Sequence, residues 1–303
     1  MNNQCFALSI PPRIKIRGIL ETIMKIWAHT LVRNEERYLW FAVTSVIDYV
    51  DRVLLWDTGS TDNTVKIIQE LKETYRDKID FQEVGEVDKE SFTQIRQRML
   101  DRTKSDWTIL LDGDEVWWDD SIRKIMETIR SNGDSLETIA HRFFNVVGDI
   151  YHFQEEKAGK YRIDNKIGHL TIRAMKRSIP GLHFGRPHGQ QGIFDEQNIL
   201  IQERDKRKRL FIDEKLYMHF THMIRSRNQE EDLKVMKRDI KVKYELGIPF
   251  ALDFYYPEVF FKPRPAVVPL PWGRMDKKYF WRAFLETPLR KVKRRLVKGK
   301  SGY

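Results

Sequence analysis

Residues 107–118 read WTILLDGDEVWW, an apolar run that stops in three acids within four residues and then returns to tryptophan. Residues 107–111 have the length and composition of a buried strand, closed by Asp112-Gly113-Asp114-Glu115. Three earlier segments share the strand reading. Residues 26–32 (IWAHTLV) end in Arg33-Asn34-Glu35-Glu36, residues 52–56 (RVLLW) end in Asp57-Thr58-Gly59, and residues 78–83 (KIDFQE) form a third strand. Helices are expected at 38–49, at 64–75 behind the capping residues Ser60, Thr61, Asp62 and Asn63, at 91–103 with Phe92, Ile95 and Met99 inward, and at 120–130. Strands alternating with helices predict an α/β fold around a mostly parallel sheet covered on both faces. In such sheets ligands bind beyond the carboxyl ends of the strands. Asn34-Glu35, Asp57 and the acids of 112–115 all fall there.

The second half is less regular. Residues 139–147, 170–176 and 216–220 have strand character, and residues 228–246 read as one amphipathic helix with an Asn-x-x-Glu start and Gly247 as its stop. Proline and aromatic residues dominate 255–272. Three parts are therefore expected: an N-terminal extension over 1–24, with Met24 an alternative start; an α/β domain over 25–250; and a proline- and aromatic-rich segment with a basic tail over 251–303. With 303 residues, 41% hydrophobic and 12% aromatic, the chain can build a sizeable core. Its single cysteine, Cys5, excludes an intrachain disulfide and fits a reducing compartment. No apolar run is long enough to span a bilayer, and the N-terminus lacks a signal-peptide core, so a cytoplasmic location is expected. The net charge of +10 suits acidic partners such as nucleotides, phosphates or an anionic membrane. Nucleic acid is not expected, because much of the excess lies in 282–300 and no reader motif is present.

Asp112 and Asp114, separated by one glycine at a strand end, offer hard oxygen donors suited to Mg²⁺ or Mn²⁺. Such an ion completes its shell with water and substrate phosphates, and it would compensate the mutual repulsion of the acids. The competing reading is an acidic loop that favours the next helix N-terminus. Asp57 ends a buried strand, where it could accept a hydrogen bond from a base or ribose, and Gly59 permits the tight turn that follows.

LVRNEE, LLWDTGSTDNT and LLDGDE, in this order and spacing, resemble the family 2 glycosyltransferases of the GT-A fold, strongly over 25–120 and weakly over 120–247. The resemblance implies a Rossmann-like nucleotide-binding half followed by a mixed, acceptor-side half. It implies metal-dependent transfer of a sugar, with inversion, from a nucleoside-diphosphate donor to an acceptor hydroxyl, in the making of cell-surface glycans or glycolipids. The acceptor would be a carbohydrate, a lipid-linked molecule or a polypeptide. By the same resemblance the Asn34-Glu35 pair and Asp57 would hold base and ribose, Arg96 would help bind the nucleotide, and Asp112 would face the ribose and touch the metal. Asp114 would be the main metal ligand, His219 would contact metal or diphosphate, and Arg225 or Arg227 would add phosphate contacts. Glu115, Trp117 and Trp118 would shape the sugar pocket or, for the tryptophans, fill the core. Inverting transfer also needs a general base. Where many relatives carry a His-Glu pair this chain has His188-Gly189, so His188 matches the histidine, and of Asp195 and Glu196 just beyond, Asp195 is the candidate base. The rival reading is a phosphohydrolase of the haloacid dehalogenase type with Asp112 as nucleophile; its motif normally opens the domain, whereas three strand–helix units precede it here.

The last stretch, 287–300, contains no acid, and Leu289, Val292 and Leu296 recur at helical spacing after Tyr279, Phe280, Trp281 and Phe284. It reads either as a helix lying on the inner face of an anionic membrane or as a solvated tail.

Overall fold

The computed structural model describes residues 24–296, so most of the N-terminal extension, Cys5 and the end of the basic tail lie outside the described residues. The apolar runs read above become strands β1 (Ile26–Val32), β2 (Arg52–Asp57), β3 (Ile79–Glu83) and β4 (Trp107–Leu110). They lie side by side in the order β4-β1-β2-β3, and all three pairings are parallel. Between them run α1 (Leu39–Thr44), α2 (Thr64–Tyr75) and α3 (Lys89–Arg102), and after the short β5 (Glu115–Trp117) comes α4 (Asp119–Asn132). Alternate strand residues face opposite sides. Ala28, Val32, Val53 and Leu55 pack with Phe41, Ile67, Leu71, Ile122 and Ile129 of α1, α2 and α4. Leu31, Leu54 and Trp56 face the other way, onto Ile95 and Met99 of α3. Helix α3 starts in a reciprocal cap: Ser91 N donates to Asp88 Oδ1 at 2.7 Å while Asp88 N donates to Ser91 Oγ at 2.8 Å.

The second half continues the sheet in mixed sense. Strand β6 (Thr138–Val147) is followed by β7 (Asp149–Phe153), a hairpin of β8 (Tyr161–Ile163) and β9 (Lys166–Gly168), then β10 (Leu170–Lys176). A second hairpin of β11 (His183–Gly185) and β12 (Gly192–Phe194) precedes β13 (Arg209–His219), and β14 (Ile248–Pro249) closes the edge. Strand β10 runs antiparallel between β4 and β6, while β13 pairs parallel to β6 and antiparallel to β5. Strand β13 is thus longer than the five residues expected from sequence, because β6 gives its first half a partner too. The expected parallel nucleotide half and mixed second half are both present.

The helix expected over 228–246 is not continuous. It splits into α5 (Gln229–Lys234) and α6 (Arg238–Lys241), with Lys237 between them in the left-handed region at φ 62°. The reason is a buried ion pair: Arg238 Nη1 donates to Asp232 Oδ1 at 2.6 Å while its Nη2 reaches the Arg33 carbonyl at 2.9 Å. Residues six apart stand about 120° apart around an unbroken helix and about 9 Å apart along it, so the pair favours the break.

The proline- and aromatic-rich segment is ordered by packing. Phe250, Phe254, Tyr256 and Trp272 lie against the main core, and the rings of Phe250 and Phe254 stack 3.9 Å apart. Helix α7 (Lys277–Leu296) follows. Among the described residues no helix is long and apolar enough to cross a membrane. The break before α6 makes a direct prediction. A glycine in a helix interior costs about 1 kcal/mol, but at a left-handed position it removes strain. Lys237→Gly is therefore expected to leave the urea-unfolding free energy unchanged or raise it, and a loss of a full kcal/mol would mean that the helix is continuous.

Candidate active site

At the carboxyl ends of the strands lies an open cavity of about 700 Å³. Its floor is the end of β1 (Leu31, Val32, Arg33, Glu35) and the acidic loop after β4 (Asp112, Gly113, Asp114). One wall carries Thr58, Phe92 and Arg96; the other carries Arg173, His219, Arg225 and the residues around the helix break, Lys237, Arg238 and Lys241. Gly113 is where the acidic loop crosses β1. A Cβ there would stand 2.9 Å from Val32 Cγ1 and 3.1 Å from Glu35 Cγ, so a side chain would push the two loops apart.

The acids of this floor are compensated by arginines from distant parts of the chain. Asp112 accepts from Arg96 Nη2 at 2.8 Å on one oxygen and from Arg173 Nη2 at 2.9 Å on the other. Arg173 also donates to Glu115, which is fully buried. Arg225 Nη1 lies 2.6 Å from Glu35 Oε1 and 2.9 Å from Asp114 Oδ2, and Arg238 Nη2 lies 2.9 Å from the same Glu35 oxygen. The repulsion that a bound cation was expected to relieve is thus largely met by guanidinium groups. Burial by itself would raise the Asp112 carboxyl, but Arg173 and Arg96 outweigh it and hold it well below the usual carboxylate range. For Asp114 burial is likewise overcome, by Arg225 and His219, and that carboxyl too stays ionised. Glu35 and Glu115 go the other way. Burial pushes each up to about 7 despite the arginines beside them.

Asp114 Oδ2 is buried and makes no hydrogen bond of proper geometry, although Arg225 pairs with it. His219 Nε2 stands 3.4 Å from it. Neighbouring corners of an octahedron with bonds of about 2.1 Å lie about 3 Å apart, so this oxygen and nitrogen fit two adjacent positions on one Mg²⁺ or Mn²⁺. Among the described residues no three His, Cys, Asp or Glu side chains converge on one point. The two-donor set suits an ion that draws its other ligands from water and a diphosphate. Asp112, held on both oxygens by arginines, is less disposed to coordinate than expected.

Beyond His219 the cavity wall is a chain of neutral polar groups. Asn145 Nδ2 donates to Gln154 Oε1 at 3.1 Å and to His222 Nε2 at 3.1 Å, and His222 Nδ1 donates to the Lys241 carbonyl at 2.6 Å. Gln154 passes the chain on to Glu245 at 2.7 Å. His188 lies over the Phe92 ring at 4.3 Å; burial, then Lys241 and Lys237, push its imidazole down to about 4, so it is neutral at physiological pH.

Of the residues expected at the site, Glu35, Arg96, Asp112, Asp114, His188 and His219 line this cavity together, and Asn34, Asp57 and Asp195 do not. Asp57 turns into its own loop: Oδ2 accepts from Gly59 N and Ser60 N, both at 2.9 Å, and Oδ1 accepts from Ser60 Oγ. Asn34 clamps that loop to the end of β1, accepting from Thr61 N at 2.8 Å and donating to Thr61 Oγ1 at 3.2 Å. Asp195, the expected base, is buried after β12, where its carboxylate accepts from Gln197 N at 3.0 Å, Ile199 N at 2.9 Å and Arg204. It is held by a turn, away from the cavity. Of the two arginines expected at phosphate, Arg225 lines the cavity, whereas Arg227 points to the Val267 carbonyl. Trp117 is core, against Tyr217 and His141, and Trp118 donates to the Tyr255 carbonyl, so neither shapes the cavity. Arg173 was not foreseen, yet its signal is visible: one charge inside the apolar run LTIRAM. Arg238 and Lys241 gave no such signal, because an unbroken surface helix accommodates them.

The profile of glycosyl transferase family 2 matches residues 29–194, which contain the acidic loop and both loops joined by Asn34. The chain belongs to this family and carries a glycosyltransferase domain. A TPR repeat-containing protein of Synechococcus elongatus is 26% identical over 182 residues, covering 59% of this chain and 38% of that protein. The chain thus spans well under half of that curated relative. Among solved structures, TarS of S. aureus shares 13% identity at TM-score 0.41, over 65% of this chain and 61% of its own. Glucosyl-3-phosphoglycerate synthase from Mycobacterium tuberculosis, in complex with Mn²⁺, uridine diphosphate and phosphoglyceric acid, also shares 13% identity at TM-score 0.41, over 65% and 71%. The family match sets aside the phosphohydrolase reading of Asp112.

Two measurements probe the charge network. Removing one partner of a buried ion pair costs about 3–5 kcal/mol when the other is left alone; Arg225→Met takes its arginine from Asp114 while Glu35 keeps Arg238, so it is expected to lower the urea-unfolding free energy by about 3 kcal/mol. The pH dependence has a definite sign. Burial holds His29 and His141 down to about 3, His169 and His188 to about 4, and His222 well below the usual 6.5. The unfolded chain therefore binds protons below 6.5 that the folded chain refuses, and stability falls as pH drops through that value. Glu35 and Glu115, raised from 4.5 to about 7, act in the opposite sense over that window, but five groups oppose two. The urea midpoint is expected to be lower at about pH 5 than at about pH 7.5; a higher midpoint in acid would contradict the neutral burial of these histidines.

Proposed function

We propose that this chain moves a sugar from a nucleoside-diphosphate donor to an acceptor hydroxyl, with inversion at the anomeric carbon and with a divalent cation. One observation carries the reading: Glu35, Arg96, Asp112, Asp114 and His219 come from four separate segments and line one cavity with Arg225, Lys237 and Lys241. Anionic donors for a metal ion thus face cations suited to phosphate oxygens, which is the charge pattern a metal-bound diphosphate demands.

Asp114 and His219 would hold Mn²⁺ or Mg²⁺, which when bound supplies Lewis-acid stabilisation of the departing diphosphate. Arg225, Lys237 and Lys241 bind the phosphate oxygens and favour charge accumulating on them. The base and ribose enter beside Val32, Thr58 and Phe92, with Asp112 aimed by Arg96 and Arg173 to accept from a ribose hydroxyl. Asn34 and Asp57 act indirectly, by shaping the two loops that bound this slot. His188, kept unprotonated by burial and by its cationic neighbours, takes the proton from the acceptor hydroxyl as the new bond to the sugar forms; Asp195 has no part in this step. The neutral wall of Asn145, Gln154 and His169 offers paired donors and acceptors that suit a hydroxyl-rich acceptor, whether a carbohydrate, a lipid-linked glycan or a glycosylated polypeptide. Synthesis of cell-surface glycan or glycolipid on the cytoplasmic side of a membrane fits this chemistry.

Ligand linkage tests the reading. A ligand at about 100 times its dissociation constant stabilises a fold by about 2.7 kcal/mol. Uridine or guanosine diphosphate with Mn²⁺ is expected to raise Tm, and Asp114→Asn to remove the part of the rise that needs Mn²⁺. A donor panel read by release of nucleoside diphosphate then identifies the sugar. No Tm shift with any nucleoside diphosphate, with or without metal, would refute the proposal.

A further inference from the structure

Helix α7 has two different faces. One is docked on the protein: Ala283 and Thr287 are buried, Thr287 Oγ1 accepts from Leu246 N at 3.0 Å, and Tyr279 Oη donates to the Lys243 carbonyl at 2.5 Å. Arg294, on the same side, binds Glu245 at 2.6 Å. The other face looks outward and is apolar: Trp281 is 62% exposed, Phe284 51%, Leu285 69%, Leu289 71% and Val292 51%. At 100° per residue these five form one stripe about 140° wide. Lys277, Lys278, Lys291 and Lys293 are exposed around it. The helix has a single acid, Glu286, and it is neutralised by Arg282 at 2.8 Å and Arg290 at 2.5 Å.

We propose that this outer face of α7 lies in the headgroup layer of an anionic membrane, with its apolar stripe among the acyl-chain ends and its lysines on lipid phosphates. The charge argues for this occupant. An apolar stripe bordered by cations, with its only acid already paired, matches a negatively charged, apolar-backed surface. Trp281 is of the type that anchors at such an interface. The helix lies on the bilayer rather than crossing it, since its opposite face is hydrogen-bonded to the protein and it is not apolar enough to span. On its docked face Arg294 holds Glu245, and Glu245 accepts from Gln154, which lines the cavity, so α7 is fastened to the body that carries the site. The inference does not depend on which sugar is moved, nor on the transfer reading itself.

Co-sedimentation of the full chain with vesicles tests it. Binding is expected on phosphatidylglycerol/phosphatidylcholine vesicles and not on phosphatidylcholine alone, and it should weaken as salt rises. The double variants Leu285→Asp/Leu289→Asp and Lys291→Glu/Lys293→Glu should each lower the partition coefficient by at least about tenfold. Their urea midpoints should match the parent's, since all four side chains are exposed. The proposal is overturned if the parent does not bind phosphatidylglycerol vesicles, if it binds neutral vesicles equally well, or if Leu285→Asp/Leu289→Asp binds as the parent does. A concentration-dependent dimer in solution that the same variant dissolves would also overturn it, by assigning the face to a second copy. A negative vesicle result alongside a Tm rise from nucleoside diphosphate would remove the membrane inference and leave the transfer reading intact.

Discussion

Carboxylates crowded at the ends of β1 and β4 must be held by cations, and four arginines do this: Arg96, Arg173, Arg225 and Arg238. Ion pairs of this depth add little net stability, because desolvation offsets most of the attraction, while stranding one partner is costly. Their consequence is geometric. Arg225 lies 190 residues from Glu35 and Arg238 lies 203 residues from it, so the pairs fasten the last part of the domain onto the first. The split between α5 and α6 follows from the same requirement, since Arg238 must reach both Asp232 and the end of β1.

The network also sorts the charges of the cavity. Asp112 and Asp114 are held ionised, whereas burial raises Glu35 and Glu115 and keeps His188 and His222 neutral. Neutral histidine is the form that can accept a proton. Arg225 shares Asp114 with any ion held there, which makes it a cation of the site whether or not metal is bound. On the proposed reading the pocket takes up a doubly charged diphosphate, and it gains from cations that are already fixed, because no reorganisation is needed when the ligand arrives.

The last helix draws on the same body. Arg294 and Glu245 anchor α7 to the polar chain that ends at Gln154 and Asn145 on the cavity wall. The aromatic packing of Phe250, Phe254, Tyr256 and Trp272 supports the segment leading to it, a stretch rich in proline whose regular structure is one short 3₁₀ turn, Glu258–Phe261.

Much of the fold was legible because its signals are local. A run such as IWAHTLV or RVLLW, buried on both faces of a parallel sheet, announces itself by composition, and the glycines and acids that end it mark the carboxyl edge. The three motifs, the acids at the strand ends and the positions of the first four strands are therefore written in the chain. What they touch is not. Asp57 and Asp114 look alike in sequence, each ending a strand before a turn, yet one is consumed by its own loop and the other faces the cavity. Asp195 looked available and is bound by Arg204. Helical periodicity over 228–246 was real, and a buried pair between Asp232 and Arg238 overrode it. Local pattern decides where a strand or helix forms, because backbone and burial preferences act over a few residues. Which charged side chains face the cavity was decided only by side-chain contacts, some within a turn, as for Asp57, and some between segments nearly two hundred residues apart, as for Glu35 with Arg225.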